Sequence, residues 1–97
     1  MALLDEIRSK KPQLLALAER YGVSDIRIFG SVARREERAD SDVDLLIDIR
    51  TGTDGFAVGG FQVAASKLLG REVHLSARRG YHYPEFKKLL LEDSLPL

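Results

Sequence analysis

Leu45, Leu46 and Ile47 are three consecutive aliphatic residues inside the stretch Val43–Ile49 (VDLLIDI), and they constrain the fold more than any other feature. Successive side chains of a β-strand point to opposite faces, so a run that is apolar at every position must be covered on both sides. Such a strand sits in the middle of a sheet. At 97 residues the chain has apolar material for one core only, so a single domain over residues 1–97 is expected.

Around that strand the hydrophobic spacing switches between the two regular periods. Leu3, Leu4 and Ile7, then Leu14, Leu15, Leu17, Ala18 and Tyr21, recur at helical intervals. Pro12 breaks this segment or opens a second helix, and Gly22 is a natural stop. Residues 25–29 (DIRIF) alternate Ile26 and Ile28 around Arg27 and predict a strand. A short helix is expected from residue 31 to about residue 37. Residues 51–60 are rich in glycine, and from Phe56 through Phe61, Ala65 and Leu69 the spacing is helical again, ending at Gly70. Residues 71–76 (REVHLS) predict a third strand, with Val73 and Leu75 on one face and Glu72 and His74 on the other. Pro84 then opens a last helix through residue 91. Strands interleaved with helices imply an α/β (α+β) fold, a small mixed sheet of about three strands flanked by helices.

Composition narrows the function classes. Fifteen basic and fifteen acidic residues cancel, and a neutral chain without a basic stripe is poorly suited to direct nucleic-acid binding, which depends on phosphate neutralisation. There is no cysteine, which excludes disulfide scaffolds and thiolate metal sites. No apolar run approaches the roughly 20 residues needed to span a bilayer. Asp5 and Glu6 interrupt the start of the chain, so it does not read as a signal peptide, and a cytoplasmic location is expected.

Chemistry concentrates in residues 28–48, IFGSVARREERADSDVDLLID. A strand ends at Phe29, Gly30 permits a sharp turn, and Ser31 stands where a helix begins. Free backbone N–H groups with a serine hydroxyl beside them suit phosphate oxygens. Ten residues separate Ser31 from Asp42, and Asp44 follows at strand alternation, so the two carboxylates project to one face. Two neighbouring anions call for a cation between them, and Mg²⁺ or Mn²⁺ is the usual one. Gly-Ser alone is only a turn, and Asp-x-Asp alone is more often a solvated strand end, which is also the reading given to Asp48. Together they describe a nucleotide triphosphate site and metal-assisted phosphoryl or nucleotidyl transfer.

The run GSVARREERADSDVDLLI resembles the Gly-Ser, ten residues, Asp-x-Asp signature of the DNA polymerase β-like nucleotidyltransferases. It is most similar to their minimal branch, the MNT domains that pair with helical HEPN proteins. The resemblance implies that Gly30 and Ser31 form the triphosphate-binding turn and that Asp42 and Asp44 are catalytic metal ligands. It places Arg34 against phosphate, and Ser41 also fits the pattern. It further implies ATP as substrate, a HEPN-type toxin partner with ribonuclease activity, and an antitoxin role. That role would be met by AMP transfer to a toxin tyrosine or by complex formation alone.

Two positions depart from the pattern. Arg35 stands where these domains commonly carry glycine. At Val73-His74-Leu75 the family has a third carboxylate, and here the residue is His74. Three readings are open: a ligand for Mn²⁺ or Zn²⁺ or a general base, lost catalysis with the fold kept as a binding module, or a strand histidine without a role. Glu72, two residues earlier on the same face, is a substitute one pleat away. Arg78, Arg79, His82, Lys87 and Lys88, with Tyr81 and Tyr83, give the last quarter a basic and aromatic bias fitting a solvated face or a partner edge. A chain this short leaves no room for an acceptor domain, so the acceptor is expected on another chain or a dimer mate, and a homo-oligomer stays open. Transfer to a small molecule is the lesser alternative.

Overall fold

The computed structural model describes residues 3–38, 41–77 and 94–97. The helix expected over residues 84–91 and the basic and aromatic positions from Arg78 to Lys88 lie outside the described residues. The elements run α1 (Leu3–Ser9), α2 (Lys11–Tyr21), β1 (Val23–Phe29), α3 (Gly30–Ala33), β2 (Val43–Ile49), α4 (Gly55–Leu69), β3 (Val73–Ala77) and β4 (Leu95–Pro96).

Local chemistry sets most of these boundaries. Pro12 lies in the first turn of α2, where a missing N–H leaves no helical bond unmade. Gly22 ends α2 in the left-handed conformation, at φ 79°, and its N–H bonds back to the Ala18 carbonyl. Asp54 caps α4 by accepting the Ala57 N–H at 2.8 Å. α3 is shorter than the helix expected to residue 37: it ends at Ala33, and Arg35 takes φ 56°. A non-glycine residue in that region interrupts helical bonding and turns the chain toward β2.

The strand order is β3-β2-β1-β4. β1 and β2 are antiparallel, with Phe29 opposite Asp44 and Arg27 opposite Leu46. β2 and β3 are parallel, pairing Asp44 with His74 and Leu46 with Ser76, and α4 makes the crossover between them. The fourth strand, two residues pairing with β1 near Arg27 and Ile28, adds to the three expected. Arg27 fastens it, donating from Nε to the Ser94 hydroxyl at 2.6 Å and from a terminal nitrogen to the Ser94 carbonyl at 3.1 Å.

β2 is the central strand. Leu45 and Ile47 join Ile26, Ile28, Val32, Phe61, Ala65 and Val73 in a core that also takes in Leu4, Ile7, Leu14 and Ala18 from α1 and α2. Leu46 points to the opposite face and is nonetheless 1% exposed, so both faces are covered, as its sequence context predicts. Burying one such side chain contributes about 1.5–3 kcal/mol. By strand alternation Asp44 and His74 project from the Leu46 face, away from the α1–α2–α4 layer. The core holds the sheet, and the polar ends of β2 and β3 on the other face are free to do chemistry.

Candidate functional site

Gly30 is the hinge of the site. It follows β1 directly and takes φ 75°, a conformation that favours glycine. A β-carbon there would lie 2.5 Å from Asp44 Oδ2 and 3.2 Å from its Cγ. Asp44, opposite Phe29 in the β1–β2 ladder, therefore presses its carboxylate into the space the missing side chain leaves. Ser31 follows in α3, whose amino end carries no side-chain cap. Gly30 and Asp44 thus meet at the bend.

Asp42 sits just before β2 and is exposed. The entry to β2 is well tied. Ser41 N–H bonds the Arg38 carbonyl at 3.0 Å, and the Ser41 hydroxyl accepts the Arg38 N–H at 2.6 Å. Arg71 donates to the Ser41 carbonyl at 3.0 Å, and Val43 N–H donates to the Glu72 carbonyl at 2.9 Å. These bonds fix the backbone on both sides of Asp42 against the start of β3.

His74, paired with Asp44 across β2 and β3, donates from Nε2 to Asp42 Oδ2 at 3.0 Å and lies 3.9 Å from Glu72 Oε1. Asp42, Glu72 and His74 each offer a ligand atom, and those atoms all lie within 4.8 Å of one another. The hydrogen bond to Asp42 raises the His74 pKa above its usual 6.5; desolvation opposes this, and the charges of Asp42, Glu72 and Asp44 add to it. Burial raises the Asp44 pKa above its usual 3.8; the charge of Asp42 adds to this, while His74 and Arg34 oppose it. Arg34 is close enough for that effect, although its Nε donates to Glu36 Oε2 at 3.1 Å on an exposed turn.

Glu72 is the residue whose place in the cluster strand spacing understated. Its backbone lies one pleat from His74, some 6.6 Å along an ideal strand, but two methylenes carry the carboxylate back to the imidazole. Asp48 stays apart from the cluster and accepts the Ile49 N–H at 3.0 Å. The glycines after β2 form a turn and the start of α4, and Gly60 lies under the Tyr21 ring, which a β-carbon would meet at 2.7 Å.

A family model for the nucleotidyltransferase domain matches residues 11–95. The chain belongs to that family. This nucleotidyltransferase domain is 37% identical over 90 residues to a candidate protein adenylyltransferase of Methanocaldococcus jannaschii, covering 93% of this chain and 90% of that one. A solved candidate minimal nucleotidyltransferase superposes with a TM-score of 0.85 at 35% identity, covering 97% of this chain and 95% of its own. The domain is of that minimal type. A toxin–antitoxin structure with AMP-PNP shares the fold, with a TM-score of 0.60 at 15% identity over 81% of this chain and 78% of that one.

Nucleotidyltransferases of this kind imply a divalent cation, and the donor set suits one. Asp42 and Asp44 are like charges in electrostatic contact, the second partly desolvated, and a cation between them removes the repulsion. Glu72 and the imidazole of His74 form a compact group of donors with Asp42. Among the described residues no helix is long and apolar enough to cross a membrane.

Proposed function

We propose that this chain is an antitoxin-type minimal nucleotidyltransferase that neutralises a helical HEPN ribonuclease toxin by moving AMP from ATP onto it. The observation that carries this reading is the seat of Asp44: a carboxylate lodged against the Gly30 bend, with Asp42, His74 and Arg34 in electrostatic reach. The relative named for protein adenylylation supports a protein as acceptor. The shared fold with one half of a toxin–antitoxin pair crystallised with an ATP analogue supports a toxin as that protein.

Asp42 and Asp44 hold Mg²⁺ or Mn²⁺, which when bound offsets charge on the phosphoryl oxygens. Gly30 admits the triphosphate close to the backbone, Ser31 offers its amide and hydroxyl, and Arg34 turns from Glu36 toward phosphate. A tyrosine hydroxyl of the toxin attacks the α-phosphorus in line. The new O–P bond forms as the bond to the bridging oxygen breaks, and pyrophosphate leaves with that electron pair. The hydroxyl proton passes to solvent at the exposed mouth of the site. His74 orients Asp42 through their hydrogen bond in the cation-free domain.

The experiment is incubation with ATP labelled in the α-phosphate, a divalent cation and the toxin. Label appears on the toxin, and Asp42→Ala abolishes it. No label with any divalent cation rejects the enzyme reading. A second reading, neutralisation by complex formation alone, is favoured by one observation: an imidazole already bonded to Asp42 stands at the third carboxylate position. It requires an Asp42→Ala, Asp44→Ala double variant to protect cells as well as the native chain does.

A further inference from the structure

We infer that His74 converts the cation site from one suited to Mg²⁺ into one selective for a nitrogen-accepting transition metal of the Mn²⁺, Co²⁺, Zn²⁺ class, in which Asp42 stays a ligand and Glu72 and His74 join it. The inference rests on the nucleotidyltransferase reading and concerns which ion that site takes.

The donor types point this way first. Magnesium takes oxygen donors and keeps much of its water, whereas imidazole nitrogen suits Zn²⁺ and its neighbours. Here the side chain that completes the cluster offers a nitrogen, and it does so at the strand position paired with Asp44. The spacing agrees. Bonds of about 2.0–2.1 Å place adjacent ligand atoms about 2.8–3.4 Å apart in octahedral or tetrahedral geometry. His74 Nε2 stands 3.0 Å from Asp42 Oδ2 and 3.9 Å from Glu72 Oε1. The metal takes the place of the proton shared by His74 and Asp42, which leaves to solvent, and Glu72 Oε1 closes in by about 0.5 Å or more through rotation of its exposed side chain.

The backbone under these ligands is already set. Val43 N–H bonds the Glu72 carbonyl, so the residues flanking Asp42 and His74 are fastened to each other across β2 and β3. Gln62 Nε2 from α4 donates to the Val73 carbonyl at 2.7 Å, holding the residue between Glu72 and His74. Ligands carried on, or directly before, two paired strands start from a backbone already held in place. Glu72, which the three-carboxylate pattern does not use, gains a role, and the loss of the third carboxylate is compensated in charge by a neighbour rather than left uncompensated.

The test is calorimetric titration of the full chain with Zn²⁺, Co²⁺, Mn²⁺ and Mg²⁺, with the two histidines, His74 and His82, followed by their imidazole proton resonances. One of the two signals shifts with Zn²⁺ and is lost in His74→Asp. The same substitution lowers the ratio of Zn²⁺ to Mg²⁺ affinity roughly tenfold or more, since even the loss of a group supporting a ligand changes affinity about 10–100-fold. Glu72→Gln lowers Zn²⁺ affinity in the same sense, and His82→Ala leaves the ratio unchanged. An unaltered ratio in His74→Asp, with Mg²⁺ still bound, overturns the inference and leaves the nucleotidyltransferase reading standing. Failure of both proteins to bind any of the four ions, with or without ATP, overturns both. His74 is exposed, so overlapping melting curves of the cation-free proteins verify that the variant is folded.

Discussion

Asp44 occupies the volume that a side chain on Gly30 would need: a β-carbon at position 30 falls 2.5 Å from the carboxylate oxygen. Gly30→Ala therefore meets two penalties, the left-handed backbone at φ 75°, about 1–2 kcal/mol, and displacement of Asp44. Gly70 is a control, because its φ is 66° but nothing lies within 4 Å of the β-carbon it would gain. Both alanine variants should lose about 1 kcal/mol or more in urea denaturation. Only Gly30→Ala should lose nucleotide transfer, by at least about tenfold, the rate equivalent of roughly 1.4 kcal/mol. Equal activity in the two variants would sink the assigned contact.

Arg35 carries a similar backbone, at φ 56°, with a side chain that glycine would not have. Its ion pair with Asp5 is 3.8 Å long and exposed on both sides, and such pairs contribute little. Arg35→Gly should raise stability by about 0.5–1 kcal/mol, the relief of left-handed strain less the added freedom of the unfolded chain. In a thermal melt this is a rise of a few degrees.

Protonated His74 is stabilised by Asp42, and its folded pKa lies above 6.5. The sign follows from linkage: the contribution is present in full below the unfolded value of about 6.5 and fades as pH rises through the folded value. In the cation-free protein the His74 resonance should titrate above the His82 resonance of the urea-unfolded chain. Asp42→Asn should bring it down. An unchanged midpoint would contradict the observed hydrogen bond.

Asp44 behaves oppositely to a paired carboxylate. Burial, reinforced by Asp42, raises its folded pKa above 3.8, so the folded state holds its proton more tightly than the unfolded one. Stability is therefore lost as pH rises through the carboxylate range, and the ionised group weakens the cation-free fold at neutral pH. Asp44→Asn should raise the melting temperature at pH 7 without added metal, while removing transfer activity. Saturating divalent cation should stabilise the native chain more than the variant, which lacks the Asp44 charge beside the cation.

Two phenylalanines on α4 separate packing from exposure. Phe61 is fully buried and Phe56 is 92% exposed. Phe61→Ala should cost about 3–5 kcal/mol, a large part of what a domain of this size has. Phe56→Ala should stay within about 0.5 kcal/mol. Chemical denaturation of both variants gives the comparison.

Much of this molecule was legible in one dimension because its determinants are local. Helix stops at Gly22 and Gly70 depend on the residue's own backbone freedom. The central position of β2 follows from Leu45-Leu46-Ile47, which no one-sided strand tolerates. The Gly-Ser bend and the Asp-x-Asp alternation are likewise properties of short segments. Tertiary structure decided the rest. That Asp44 fills the space beside Gly30 depends on the register pairing Phe29 with Asp44, which the packing of β1 on β2 sets. The approach of Glu72 and His74 to Asp42 needs the parallel pairing of β2 with β3 and the reach of a flexible side chain. The fourth strand at Leu95–Pro96 comes from its pairing with Arg27 and Ile28 of β1, with Ser94 beside it bonded to Arg27, 67 positions earlier in sequence. Periodicity states which face a side chain takes; only the register between distant segments states how far apart two side chains on that face will be.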